Sequence, residues 1–169
     1  MNLFPIVWLT GNCGSGKTTL ARAIERYWNE EADACHPLAR RIIVLDGDDL
    51  RETISREEGF TFADRRTHNL RVARLARLLQ SQGFLPLVAV IAPFASVRAE
   101  IDALAAPRWV YLLREGPSDP HRPYEPPSSP SLTLHTGALP FATVREILDA
   151  WLEDIISPSL LGKISRSSL

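Results

Sequence analysis

The residues with the clearest chemical meaning form a glycine-rich segment near the start of the chain. Residues 11–18 read GNCGSGKT and match the pattern G-x-x-x-x-G-K-[ST] at every defined position. Glycines let the backbone curl so that successive N–H groups point into one concavity, which accepts phosphate oxygens. In such loops the lysine, here Lys17, reaches the β- and γ-phosphates, and the hydroxyl, here Thr18, can bind Mg²⁺. The segment therefore predicts a site for the triphosphate of ATP.

Several backbone and side-chain groups of this segment are predicted to contact ATP. They belong to Gly11, Gly14, Ser15, Gly16, Lys17, Thr18 and Thr19. The positive end of the helix that begins near Lys17 adds to the attraction for phosphate. An ordinary glycine turn is the alternative interpretation, but the motif lies between a buried strand and a helix, where phosphate binding requires it.

Three carboxylates, Asp46, Asp48 and Asp49, follow the second predicted strand. In an open parallel sheet, ligands bind beyond the carboxyl ends of the strands, so this turn is predicted to face the phosphate loop. Carboxylates there can hold a magnesium shell, or they can orient an attacking hydroxyl and accept its proton. The alternative is structural: Asp48 or Asp49 would cap the helix that follows.

An aromatic ring and two guanidinium groups lie near the start of the longest predicted helix. Phe60 could stack on a base, and Arg65 or Arg66 could grip an anionic substrate through paired hydrogen bonds. The residues alone leave a second interpretation open, in which Phe60 belongs to the core and the arginines are solvated.

Short apolar runs alternate with helical patterns along the chain. Strands are predicted at 6–9, 42–45, 84–91, 109–113 and 131–136, and helices at 17–29, 48–55, 63–82, 96–104 and 140–156. Continuously apolar strands are typical of parallel sheets buried on both faces. We therefore expect one doubly wound α/β domain over residues 1–157, with a mostly parallel sheet of about five strands and helices on both faces. Residues 158–169 are expected to form a frayed tail.

The composition argues against several classes of partner. The 169 residues carry a formal net charge of -1, so no basic surface for nucleic acid or an anionic membrane is expected. No apolar run approaches the length of a membrane span, and the start lacks the basic region of a signal peptide. Cys13 and Cys35 have neither metal-ligand nor redox spacing, and we expect buried or semi-buried thiols. A cytoplasmic location is predicted.

Five ordered motifs together resemble the adenylylsulfate kinases, which phosphorylate the ribose 3′-hydroxyl of adenylyl sulfate with ATP. The motifs are WLTG at 8–11, LDGDDLR at 45–51, GF at 59–60 with DRR at 64–66, IAPF at 91–94, and PYEPP at 123–127. The resemblance covers residues 6–125. It implies a P-loop kinase that uses ATP and Mg²⁺, and the family often forms homodimers.

The resemblance also implies roles for individual residues. Asp48 matches the carboxylate beside the accepting hydroxyl, and with Lys17 it is expected to be catalytic. Asp46 is expected to hold magnesium together with Thr18. The implied acceptor contacts are Asp48, Arg51, Phe60, Arg65 and His68, with Phe60 stacked on the base.

The chain departs from the family pattern at three places. His68 stands where the family has a substrate-binding asparagine, and Asn69 follows it. Ala92 replaces a serine once described as a phosphorylated intermediate, which a direct in-line transfer does not need. The family's long lid, rich in lysine and arginine, is reduced to residues 114–122, where Arg114 and Arg122 are the cations left to replace it. Loss of the lid is expected to weaken nucleotide retention.

Three functions remain open on these grounds. The first is adenylylsulfate kinase itself. The second is a sibling kinase for a different small acceptor, which His68 and the shortened lid favour. The third is a nucleotide-binding module without transfer, which the lid deletion favours and the intact Lys17, Thr18 and Asp48 oppose.

Overall fold

Five parallel strands form the central sheet in the computed structural model, which describes residues 4–115 and 123–164, with side chains described as far as residue 156. The strands are β1 (Val7–Thr10), β2 (Ile42–Asp46), β3 (Leu85–Ala89), β4 (Arg108–Leu113) and β5 (Leu132–His135). Their order is β2-β3-β1-β4-β5, and each neighbouring pair is parallel. The predicted fold class is confirmed, and the sheet is wholly parallel within the described part of the chain.

Five α-helices connect and cover the strands in the described residues. They are α1 (Lys17–Arg26), α2 (Gly47–Glu52), α3 (Phe62–Ser81), α4 (Ala95–Ala105) and α5 (Phe141–Ile164), and α1 continues into a π-helical turn, Tyr27–Glu31. The last helix continues past its predicted end at residue 156 to Ile164, and residues 165–169 of the predicted tail lie outside the described residues. Among these helices, none combines the length and apolar character needed to cross a bilayer.

The two faces of the sheet are covered by different helices because side chains alternate along each strand. Val7 and Leu9 of β1 are fully buried in a cluster that includes apolar residues of α1 and α5. Ile6 and Trp8 point the other way, into a cluster with residues of α3 and α4. Helices on both faces, as predicted, leave the carboxyl edge of the sheet free to carry a site.

Strand register brings the ends of β1 and β2 to the same level. Ala89 of β3 is paired with Leu9 on one side and with Asp46 on the other. The glycine-rich loop after β1 and the acidic turn after β2 therefore leave the sheet side by side, although they are far apart in sequence.

The turn out of β1 is possible only because residue 11 lacks a side chain. Gly11 has φ 152°, and a Cβ there would lie 2.5 Å from the Leu112 carbonyl oxygen of β4 and 2.9 Å from Ser15 Oγ. The neighbouring sheet strand leaves no space for any other residue at this position.

We expect Gly11→Ala to destabilise the fold more than Gly14→Ala does. Gly14 also has a positive φ, 75°, but nothing lies within 4 Å of a Cβ there, so Gly14→Ala introduces backbone strain alone, roughly 1–2 kcal/mol. Gly11→Ala adds a collision with backbone. Thermal denaturation of both variants measures the difference, and equal melting temperatures would contradict the tight packing against β4.

Candidate active site

The glycine-rich loop forms a concavity at the amino end of α1. Gly16 precedes the helix with φ 93°, and the first helical hydrogen bond runs from Leu20 N to Gly16 O at 2.9 Å. The amides of Lys17, Thr18 and Thr19 come before that bond, so they have no intrahelical acceptor. Together with the helix dipole, these free N–H groups make the loop a site for an anion.

Lys17 folds back into the same concavity. Its ammonium donates to the carbonyl oxygens of Gly11 at 2.9 Å and Asn12 at 2.7 Å, and to Ser15 Oγ at 3.1 Å. The side chain is buried. The ammonium therefore sits at the centre of the loop, bound to neutral oxygens that a phosphate could replace.

Burial leaves the Lys17 charge only partly compensated. Desolvation lowers the pKa of Lys17 to about 8, while the charges of Cys13, Asp46 and Asp48 act in the opposite direction. An anion bound in the loop would stabilise the charged ammonium further. The charges of Asp46 and Asp48 therefore act on the ammonium in the loop.

Asp46 joins the acidic turn to the loop through its two oxygens. Oδ1 accepts from the backbone N–H of Asp48 at 3.0 Å and of Asp49 at 3.4 Å, and Oδ2 accepts from Thr18 Oγ1 at 2.6 Å. The prediction that Asp48 or Asp49 caps α2 is wrong. The cap is Asp46, because β2 runs through residue 46 in an extended conformation and the helix starts at Gly47.

The other two acids of the turn differ in their surroundings. Asp49 is exposed and forms a 2.7 Å ion pair with Arg22 on the surface. Asp48 is also exposed, and its charge acts on both Lys17 and Arg51. Asp48 is therefore the exposed carboxylate of the turn whose charge acts on both the phosphate loop and Arg51.

Phe60 lies on the surface in contact with two guanidinium groups. The residue is 69% exposed, and the guanidinium carbons of Arg51 and Arg65 lie 4.6 Å and 5.3 Å from the ring centroid. Arg51 donates to the Gly59 carbonyl at 2.9 Å, and Arg65 donates to the Phe60 carbonyl at 2.9 Å. This arrangement excludes the interpretation of Phe60 as a core residue, and it brings three predicted acceptor contacts together.

Contacts that the sequence did not predict fix the segment that carries Phe60. Arg71 of α3 forms a 2.6 Å ion pair with Glu58 and donates to Ser55 Oγ at 3.0 Å. Thr61 and Asp64 form a reciprocal capping box at the start of α3. Arg66, in contrast, pairs with Glu100 at the surface and takes no part in the group around Phe60. No local pattern marks Glu58 or Arg71, because their pairing joins two separate parts of the chain.

His68 and Asn69 are buried behind the group formed by Arg51, Phe60 and Arg65. His68 is 1% exposed, and neither of its ring nitrogens has a hydrogen-bond partner within the described residues; the same holds for Asn69 Oδ1. Desolvation, followed by the charge of Arg51, lowers the pKa of His68 to about 4, so the imidazole is neutral near pH 7. An unsatisfied buried polar group costs about 1–3 kcal/mol, and few are found in folded proteins.

The PYEPP segment holds the start of α4 against the end of β1. The Tyr124 hydroxyl lies 3.0 Å from Thr10 Oγ1, Glu125 accepts from Ala95 N at 2.6 Å, and Glu125 N donates to the Pro93 carbonyl at 2.9 Å. Burial raises the pKa of Tyr124 to about 12, so its hydroxyl stays protonated. Two motifs that are distant in sequence, IAPF and PYEPP, therefore meet at the carboxyl edge of the sheet.

Ala92, the residue in the family's serine position, adopts a left-handed conformation with φ 46°. The buried Arg98 donates to its carbonyl oxygen at 2.8 Å. Arg98 therefore fixes this backbone turn, a role that the sequence alone did not indicate.

A cavity of about 170 Å³ lies beside the phosphate loop. It is lined by Ser15, Gly16, Thr19, Leu20, Arg114, Thr136, Leu139, Phe141 and Val144. Arg114 donates to the Gly14 carbonyl at 2.7 Å and so covers one side of the loop. Arg122 and the rest of the shortened lid, residues 116–122, lie outside the described residues.

Both cysteines are exposed, so the expectation of buried or semi-buried thiols is wrong. Cys13 lies in the phosphate loop and Cys35 in the connection before β2, and loops run over the surface of a domain.

Comparison with known proteins identifies relatives over most of the chain. The sequence model described as "Adenylylsulphate kinase" matches residues 4–112. The adenylyl-sulfate kinase of Chloroflexus aurantiacus is 34% identical over 185 residues, covering 95% of this chain and 94% of the relative.

Two solved structures extend the comparison to three dimensions. The Mycobacterium tuberculosis APS kinase, solved in complex with AMPPNP and APS, has a TM-score of 0.71 and 28% identity, covering 87% of this chain and 96% of the other. A hexameric APS kinase from Thiobacillus denitrificans has a TM-score of 0.68 and 26% identity, covering 88% of this chain and 28% of that longer one.

We expect Asp46→Ala to lower the free energy of unfolding by about 1–2 kcal/mol, the usual cost of a lost helix cap. Asp46→Asn retains a side-chain oxygen that can accept from the amides of α2, so its loss should be smaller. Urea denaturation of the two variants measures the difference. Equal losses would show that the stability comes from the negative charge of Asp46 and not from the capping hydrogen bonds that asparagine can still accept.

Proposed function

The chain belongs to the adenylylsulfate kinase family, and we propose that it transfers the γ-phosphoryl group of ATP to the ribose 3′-hydroxyl of adenylyl sulfate. The observation that carries the proposal is the placement of Asp48. Its charge acts on Lys17 in the phosphate loop and on Arg51 beside the exposed Phe60 ring. A carboxylate whose charge acts on both a donor site and an acceptor site suits the transfer of a group from one to the other.

ATP is assigned to the phosphate loop and the cavity beside it. The β- and γ-phosphates would replace the loop oxygens around Lys17 and accept from the free amides at the start of α1. The base of ATP is assigned to the 170 Å³ cavity under Arg114. Arg114 would then cover the nucleotide from the side on which the lid is short.

The oxygens of Thr18 and Asp46 fit a magnesium ion. They lie 2.6 Å apart at the edge of the loop, and hydroxyl and carboxylate oxygens are ligands that Mg²⁺ prefers alongside nucleotide phosphates. When bound there, Mg²⁺ would neutralise charge on the β- and γ-phosphates.

Adenylyl sulfate is assigned to the group around Phe60. Its base would stack on the exposed ring, and its phosphosulfate would pair with the guanidinium groups of Arg51 and Arg65. Asp48 would orient the 3′-hydroxyl and accept its proton as the oxygen attacks the γ-phosphorus. The bond from that phosphorus to the bridging oxygen breaks, and ADP leaves.

A kinase for a different small acceptor is the second candidate. It is favoured by His68, which differs from the family's asparagine and is buried without a partner in the described residues. A homodimer and a cytoplasmic location stay predictions.

Lys17→Ala and Asp48→Asn are each expected to reduce turnover at least about a hundredfold, because each removes a contact to the transition state. The measurement is ADP release from Mg-ATP across a panel of acceptors that includes adenylyl sulfate.

Asp49→Asn is the matched control, since Asp49 pairs with Arg22 at the surface, and it should change turnover less than about twofold, as most exposed ion pairs contribute little. Normal turnover in Asp48→Asn would show that Asp48 does not accept the proton of the attacking hydroxyl. Turnover of another acceptor but not of adenylyl sulfate would select the second candidate.

Phe60→Ala is expected to raise KM for adenylyl sulfate by roughly tenfold, since stacking of a base on an aromatic ring contributes about 1–3 kcal/mol. KM for ATP should stay unchanged. Steady-state kinetics with each substrate varied tests this, with Leu78→Ala on α3 as a control that removes another exposed apolar side chain. A larger effect on ATP than on adenylyl sulfate would reverse the assignment of the two sites.

A further inference from the structure

The imidazole of His68 is built into the acceptor side of the protein without the partners that a buried polar ring requires. Both ring nitrogens are inaccessible to solvent and have no hydrogen-bond partner among the described residues. The neighbouring Asn69 Oδ1 is likewise buried and without a partner there. Buried polar side chains in folded proteins are almost always paired. A ligand that brings a hydrogen-bonding group to this place would satisfy them.

The charges around His68 come from three elements. Arg51 faces it from α2, Glu58 from the segment before α3, and Arg71 from α3 itself. Glu58 is paired with Arg71 at 2.6 Å, so of the two arginines near the ring Arg51 is the one whose charge most disfavours an imidazolium. The surroundings of the ring are therefore positive in the free protein, and they favour the neutral imidazole.

We propose that binding of the acceptor's phosphosulfate group transfers a proton from solvent to His68, whose imidazolium then helps to hold the anion. The proposal rests on the proposed function, because it takes adenylyl sulfate as the acceptor. Desolvation is the larger cause of the lowered pKa of His68 and the charge of Arg51 is the second. The two negative charges of the phosphosulfate would offset Arg51, and an anion close to the ring would also offset the cost of burying an imidazolium. The step breaks one bond to hydrogen in hydronium or a buffer acid and forms one N–H bond on the imidazole, and no other bond changes.

The direction of the resulting pH dependence follows from linkage. The pKa of His68 is about 4 in the free protein and would be higher in the complex, so the complex holds more protons between those two values. Affinity for the anion therefore rises as pH falls through the pKa of the complex, by at most tenfold per pH unit for one proton. An asparagine at this position has no proton to take up, so the family's residue would bind without this dependence.

Calorimetric titration of the full-length protein with adenylyl sulfate tests the proposal. Titrations at pH 6.5 in two buffers of different ionisation enthalpy count the protons taken up, and titrations from pH 6 to pH 8 give the affinity. For the wild type we expect uptake of a fraction of one proton and an affinity at least about fivefold higher at pH 6 than at pH 8. His68→Asn should show no uptake and little change with pH.

His36→Asn is the matched control, because His36 packs on Trp28, away from both nucleotide sites, and this variant should behave as the wild type. A second measurement uses the wild type alone and so does not depend on whether a His68 variant folds. In NMR spectra at pH 6.5, the imidazole C–H resonances should show one histidine that becomes protonated when adenylyl sulfate is added.

The outcomes separate this proposal from the one on which it rests. If adenylyl sulfate binds and is turned over without proton uptake, or if His68→Asn retains the uptake, the role of His68 is wrong and the kinase activity stands. If adenylyl sulfate neither binds nor is turned over, the proposed function fails and this inference fails with it.

Discussion

The parallel pairing of β3 with both β1 and β2 is the constraint on which the rest of the site depends. Because Ala89 pairs with Leu9 and with Asp46, the loop after β1 and the acidic turn after β2 start at the same level of the sheet. The hydrogen bond from Thr18 to Asp46 then joins the two segments directly. Without this register, the phosphate loop would still form locally, but it would have no carboxylates beside it.

A buried ionisable side chain with little charge compensation lies in the phosphate loop, and another lies near Arg51. Lys17 is charged but surrounded mainly by neutral oxygens, and His68 is kept neutral in positive surroundings. Desolvation is the largest cause of the lowered pKa in each case. Anions would relieve both, because negative charge in the loop stabilises the ammonium and negative charge near Arg51 permits an imidazolium. The free protein therefore holds an electrostatic cost that anionic substrates would reduce.

The proposed acceptor half of the site depends on contacts between segments more than the proposed donor half does. The donor loop is one short run of sequence at the start of a helix. The segment that presents Phe60 is fixed by the Arg71–Glu58 ion pair, and the far edge of the site is fixed by Tyr124 and Glu125 reaching back to Thr10 and Ala95. Changes in acceptor preference could therefore arise from residues that touch no substrate, by moving the segments that carry the contacts.

The sequence by itself determined the features that are local or periodic. The glycine spacing defined the phosphate loop, the apolar runs defined a parallel sheet covered on both faces, and the ordered motifs defined the family. Tertiary structure alone decided that Asp46 caps α2, that Phe60 lies exposed in contact with two guanidinium groups, and that His68 is buried without a partner in the described residues. These properties depend on where a strand ends and on which distant residues pack nearby, and neither is encoded in the spacing of neighbouring residues.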